Sequence, residues 1–192
     1  RQRQMCIRDR VSGQPAIYAA YLRPDPVHTS EVAAVAWMDM KLLKLSLFAG
    51  GQEPGGSWPL MGPIPESMRP GLVAAFNSGF RLSESEGGFY TDGRTARPLV
   101  DGSASLVIFK NGTATVGTWG KDVSMSSNVD SVRQNLHLIV DHGQPVPGLR
   151  SEPTFTWGAT VGGQLLVWRS GIGVTSDPVS YTHLTLPTNR EV

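Results

Sequence analysis

The chain has 192 residues, with 17 Lys and Arg against 16 Asp and Glu and a formal charge of +1, the balance of a near-neutral chain of ordinary domain size. No run of Lys or Arg breaks the interior, which excludes a basic footprint for nucleic acid or for an anionic membrane surface. The one cysteine, Cys6, excludes a disulfide framework and a Cys-based zinc site.

The two ends are related at the level of DNA. Met5-Cys6-Ile7-Arg8-Asp9 can be written ATG TGT ATA AGA GAC, and the reverse complement of that stretch encodes Val179-Ser180-Tyr181-Thr182-His183. It is similar to the transposase adapter of shotgun sequencing libraries, as found in metagenomic fragments. Residues 1–10 and 178–192 are therefore expected to be adapter-derived scar, unpacked against the rest. Residues 11–177 then form the natural part, an incomplete domain with one sheet edge uncovered. Twelve basic and fourteen acidic side chains give that part a charge of −2. Its most apolar stretch, Val32–Phe48, is interrupted by Asp39, Lys41 and Lys44. That is well short of the roughly 20 apolar residues of a membrane-spanning helix.

Glycine and proline make up about a fifth of residues 11–177, a density that predicts short strands joined by turns. Ile17–Leu22 and Val32–Met38 read as strands, the second ending at a turn over Asp39–Lys41. Leu43–Phe48 alternates leucines with Lys44, Ser46 and Phe48, the period of a half-buried strand. Gly50–Pro70, punctuated by Pro54, Pro59, Pro63, Pro65 and five glycines, reads as a long loop of the kind that is functional or disordered. Leu72–Phe76 is expected to be a buried strand running into a tight turn at Asn77-Ser78-Gly79-Phe80. Ser83–Gly88, with Glu84 and Glu86, reads as a solvated loop.

Ser105–Lys110, Asn111-Gly112 and Thr113–Val116 predict a hairpin with a type I′ turn, since Asn-Gly accommodates two positive φ angles. A second hairpin is expected from Leu136–Val140 through His142-Gly143 to Gln144–Val146. A third runs from Trp157–Val161 through Gly162-Gly163 to Leu165–Trp168. Ser131–Asn135 is the one place where a helical turn is expected. The fold class is α+β: a β-rich mixed or antiparallel sheet with several hairpins, at least eight strands and few helices.

Two positions offer chemistry. Asn77 ends an apolar run at a turn with Gly79, where its amide would point into a cleft or simply cap the turn. Arg169 precedes Ser170-Gly171-Ile172-Gly173, where small residues let a ligand approach the backbone and a guanidinium could clamp phosphate; the alternative is a surface arginine at a strand end. Asp92-Gly93, Asp101-Gly102 and Asp141-His142-Gly143 read first as structural turns. His137, between Leu136 and Leu138, reads as a core or edge histidine of a strand. No His, Asp or Glu set has metal-site spacing, no phosphate loop or nucleophile elbow is present, and no cofactor is assigned. Asn111-Gly112-Thr113 fits a glycosylation sequon that the hairpin turn already explains.

Leu72–Phe80, then Gly87-Gly88-Phe89-Tyr90-Thr91-Asp92-Gly93, then Ser105–Val116, Leu138–Val146 and Trp168-Arg169-Ser170-Gly171-Ile172-Gly173-Val174-Thr175 together resemble the phosphodiester glycosidase domain family, in the order found there. The family includes the α-N-acetylglucosaminidase that acts on N-acetylglucosamine-1-phosphodiesters, and the closest flavour is that of actinobacterial extracytoplasmic proteins. The resemblance implies that Asn77 and Arg169 are catalytic positions, with Gly79, Phe80, Ser170 and Gly171 contacting substrate. It implies a glycan or sugar-phosphate partner and an extracytoplasmic location. Many members read Asn-Gly-Gly-Phe where this chain has Asn77-Ser78-Gly79-Phe80, and the family's acidic segment lies downstream of residue 177. A glycosidase needs an acid and a nucleophile or base across the scissile bond, so the chain alone is expected to be an inactive fragment of a hydrolase. Two rivals stand beside this expectation. One is a non-catalytic glycan-binding or envelope scaffold module, with Trp58, Trp119, Trp157 and Trp168 available for stacking on sugars. The other is an intracellular β-rich ligand-binding protein.

Overall fold

The structure, a computed structural model, describes residues 6–23, 26–27, 29–30, 32–77, 79–149, 154–158, 169–175 and 180–186. Strands dominate and helices are few and short, as the turn-rich sequence predicts. The chain divides into two compact units: unit 1 holds residues 1–43 and 159–192, and unit 2 holds residues 44–158. The interval 11–177, expected as one domain, spans both.

Unit 1 is a five-stranded antiparallel sheet. It is built from β1 (Cys6–Val11), β2 (Gln14–Leu22), β3 (Ala33–Asp39), β11 (Arg169–Val174) and β12 (Ser180–Leu186), in the order β1-β2-β3-β12-β11. Ser12 and Gly13, with φ of 50° and 80°, form the two-residue turn that joins β1 to β2. Tyr18 and Trp37 face each other across the β2–β3 register with ring centroids 5.3 Å apart, edge to face. Ala16, Ile17, Ala20, Ala33 and Met38 are buried. The two ends do not stay unpaired, as the adapter reading expected. Cys6–Val11 ladders onto β2, and Ser180–Leu186 lies between β3 and β11. The residue types explain the pairing, because Tyr181, Thr182, Thr185 and their leucine neighbours are strand formers whatever their origin.

Unit 2 is a second five-stranded antiparallel sheet, order β5-β4-β8-β6-β7. Its strands are β4 (Phe89–Thr91), β5 (Arg94–Arg97), β6 (Ala104–Phe109), β7 (Ala114–Thr118) and β8 (Val129–Gln134). Val107, Trp119, Val129 and Val132 form its core, with Tyr90, Leu99, Phe109 and Val123 packed around them. Outside the sheet lie α1 (Leu82–Ser85), α2 (Thr154–Trp157), a 3₁₀ turn over Glu66–Gly71, and a two-stranded ribbon of β9 (Val140–Asp141) and β10 (Gln144–Pro145).

Several expectations need correction. Leu43–Phe48 keeps its inside–outside alternation but joins no ladder, Leu45 donating one backbone hydrogen bond to Gly112 O at 3.0 Å. Leu72–Phe76 is neither a strand nor buried; Leu72 is 44% exposed. The Asn111-Gly112 turn is not type I′, because only Gly112 has a positive φ, of 82°. Its N–H closes a turn onto Phe109 O, while Asn111 Oδ1 accepts from Thr113 N and Oγ1 at 3.0 and 2.6 Å. A type I turn followed by a left-handed glycine is the next commonest hairpin solution. True two-residue turns with two positive φ angles occur at Asp92-Gly93 and at His142-Gly143. Ser131–Asn135 is no helical turn, since Ser131–Gln134 belong to central strand β8. His137 is exposed, outside any strand, its ring 6.3 Å from that of Trp157. Trp157 ends a helical turn rather than starting a strand, and the remainder of the third hairpin lies outside the described residues. Glu84 and Glu86 are solvated, although Leu82 and Ser85 between them and the core are buried.

At the end of β7, Asp122 Oδ2 accepts from Thr118 N at 2.9 Å, and Lys121 Nζ lies 3.5 Å from Asp141 Oδ2. The Thr118 backbone N–H, helped by Lys121 and His142, holds the Asp122 carboxyl below its usual value against a smaller desolvation effect. A lowered native value stabilises the fold above the unfolded pKa and is lost as pH falls through the native one. The urea midpoint should therefore fall more steeply below about pH 4 in the parent than in Asp122→Asn, the two curves converging in acid. Parallel curves would remove this role.

Candidate functional site

Unit 2 contains a polar cleft of about 730 Å³ lined by residues from four segments. The 48–53 stretch contributes Phe48 and Glu53, the 76–83 stretch contributes Asn77, Gly79, Phe80 and Arg81, β4 contributes Phe89 and β8 contributes Arg133.

The Asn77 turn is shaped locally. Asn77 Oδ1 accepts the Gly79 N–H at 3.1 Å, the side-chain-to-backbone bond that short polar residues make in turns. The left-handed position is Gly79, at φ 138°, where an added Cβ would lie 3.2 Å from the Asn135 amide. The turn is thus pressed against the end of β8. Phe80 is held by a hydrogen bond from Arg133 to its carbonyl, and its ring lies where Gly158 has no side chain. Glu53 Oε2 accepts from Leu82 N at 2.7 Å, and Arg97 donates to Leu82 O, fixing the start of α1 on the cleft rim.

Behind the rim, Gln134 is fully buried. Its Oε1 accepts from Gly88 N at 2.9 Å and Val100 N at 2.7 Å, and its Nε2 donates to Val100 O and Ser105 Oγ, both at 3.0 Å. One amide therefore satisfies the chain before β4, the chain after β5 and a side chain of β6. Beside it Arg133 is 7% exposed and donates to the carbonyls of Gln134 and Phe80. Burial and the nearby Arg97 pull its guanidinium below its ordinary value, and Glu53 opposes them. Two buried polar atoms at this end of unit 2, Asn135 Oδ1 and Trp157 Nε1, have no hydrogen-bond partner among the described residues.

The residues singled out in sequence divide between the units. Asn77, Gly79 and Phe80 line the cleft of unit 2. Arg169, Ser170 and Gly171 open β11 in unit 1, Arg169 half-buried and the other two exposed. Glu53, Arg81 and Arg133 are the cleft residues that the sequence reading passed over. Arg133 carried no local signal, because Val129–Gln134 is polar at Asp130, Ser131, Arg133 and Gln134 and is buried at every position but Asp130, with no alternation to mark a strand. The tryptophans are mostly committed elsewhere. Trp119 is core, Trp58 carries the Arg94 guanidinium 4.1 Å from its ring, and Trp168 lies outside the described residues.

Among the described residues no group of three His, Cys, Asp or Glu converges as metal ligands would, and no helix is long and apolar enough to cross a membrane. No protein-family model matches the chain, and no curated protein matches it.

Proposed function

We propose that the chain is the substrate-binding part of an extracytoplasmic bacterial hydrolase that cleaves a glycosyl phosphodiester, an incomplete domain of a longer protein. The observation that carries this reading is the meeting of the Asn77–Phe80 turn with Arg81 and Arg133 in one cleft of about 730 Å³. A volume of that size suits a small-molecule ligand. Guanidinium groups suit phosphate oxygens, and Phe76, Phe80 and Phe89 offer apolar surface to a sugar ring. The role of Arg169 as a phosphate clamp, with Ser170 and Gly171, rests on the sequence segment alone.

Among the described residues lining the cleft, Glu53 is the one carboxylate, and its Oε2 is engaged by Leu82. Cleavage at an anomeric carbon uses two such groups. The chain alone is therefore expected to bind a glycosyl phosphodiester without turning it over. The same observation favours a second reading, a glycan-binding or envelope scaffold module without catalysis. Release of free sugar from a glycosyl methyl phosphodiester by a longer natural version, and not by this chain, is the result expected of the hydrolase. Binding without release by either selects the scaffold, and no binding rejects both.

Asn77 has its own test. Asn77→Asp keeps the oxygen that receives the Gly79 N–H but adds a negative charge to the cleft. Affinity for a glycosyl phosphate should fall about tenfold by calorimetry, without a change in melting temperature. Unchanged affinity would reduce Asn77 to a turn cap.

A further inference from the structure

Arg133 is a cation placed where cations are costly. It is 7% exposed, and among the described residues its hydrogen bonds go to two backbone carbonyls, of Gln134 and Phe80, and to no carboxylate. A buried charge without a paired counter-charge is expensive, and Arg side chains are seldom so deep unless paired. The surroundings add to the imbalance. Of the three ionisable side chains lining the cleft, Arg81 and Arg133 are cationic and Glu53 is anionic. Arg97, also in electrostatic reach of Arg133, brings a third positive charge into the neighbourhood.

Arg133 has N–H donors beyond those two bonds, and it lines, with a second arginine, a cavity large enough for a ligand. We propose that Arg133, which lines this cleft, is the anchor for a phosphate-ester oxyanion, which adds a direct ion pair to a guanidinium that among the described residues hydrogen-bonds only backbone carbonyls. The inference deepens the reading of the cleft as a glycosyl-phosphodiester site and rests on it for the sugar, but not for the anion. Phe80 is the mechanical link. The arginine that would grip the anion also holds the Phe80 carbonyl, so the aromatic ring beside the sugar and the charge on the phosphate are set by one side chain. Glu53 sits close enough to oppose an incoming anion while keeping the Leu82 N–H bonded.

The test uses the intact chain and calorimetric titration with glucose-1-phosphate, inorganic phosphate and methyl glucoside. Glucose-1-phosphate should bind and methyl glucoside should not, with affinity falling as salt rises. Arg133→Lys keeps the charge but loses the fork geometry, and should weaken glucose-1-phosphate by about tenfold or more. Glu53→Gln keeps an oxygen for Leu82 and removes the opposing charge, so it should tighten binding several-fold. The Glu53 variant holds the inference to account even where Arg133→Lys fails to fold. Equal binding of methyl glucoside, or indifference of glucose-1-phosphate to Glu53→Gln, overturns the anchor. Inorganic phosphate binding as tightly as the sugar phosphate, with the same response to both variants, upholds the anchor while overturning the glycosyl reading.

Discussion

Gln134→Leu should cost unit 2 about 4 kcal/mol, read as a fall in the urea midpoint followed by tryptophan fluorescence. The expected size comes from what the amide leaves behind. Gly88 N loses its partner in a buried site and Val100 N and O lose theirs in a partly buried one, each a penalty of roughly 1 to 3 kcal/mol with the Val100 groups at the low end. Leucine fills the space, so the loss reports polar groups rather than a cavity. Gln134→Glu tests the same joint differently. It keeps an acceptor for the two N–H groups but turns the donor to Val100 O and Ser105 Oγ into an oxygen. It should be destabilising too, and less so in acid, where a protonated carboxyl restores one donor. A loss under 1 kcal/mol for Gln134→Leu would mean that the network is optional.

Gly88→Ala should cost about 3 kcal/mol by the same measurement. The new methyl would lie 2.4 Å from Pro98 O and 2.7 Å from Leu99 Cα, which are backbone atoms and cannot rotate away. Relief requires the chain after β5 to back off from β4, stretching the bonds that Gln134 makes to Val100. Gly88 and Gln134 therefore share one joint, and the double variant should lose less than the sum of the singles. Gly93→Ala, in an exposed turn at φ 70° with open space around the missing Cβ, is the internal contrast and should cost only about 1 kcal/mol. Equal effects at the two glycines would show that close approach at Gly88 does not limit stability.

What the sequence disclosed follows from how local each signal is. Ile17–Leu22 and Val32–Met38 were legible because apolar β-formers bounded by turn residues need no distant partner to be recognised. The Asp92-Gly93 turn and the strand β6 of Ser105–Phe109 were legible for the same reason. β8 was not. Ser131, Arg133 and Gln134 are polar letters in a strand whose burial is made tolerable by partners 29 to 53 residues away, and no window of sequence contains those partners. Leu72–Phe76 failed in the opposite sense, being apolar enough for a buried strand yet offered no ladder in this chain. Half of the candidate site followed the same rule. Asn77 and Gly79 announce a turn by themselves, whereas Glu53 and Arg133 acquire meaning only when the fold brings residues 80 positions apart to one cleft.

Unit 1 is written in two pieces, with the whole of unit 2 spelled out between them. On a ribosome the order of emergence then matters. β2 and β3 leave the exit tunnel before unit 2, but the strand that covers the open side of β3 is β12, some 140 residues later. Until it arrives, the edge of β3 exposes unpaired backbone groups to any passing strand. The five strands of the unit 2 sheet pair among themselves, so that sheet can close while synthesis continues. The interruption thus sets a timetable, in which the inserted unit closes before the sheet that flanks it in the chain is complete.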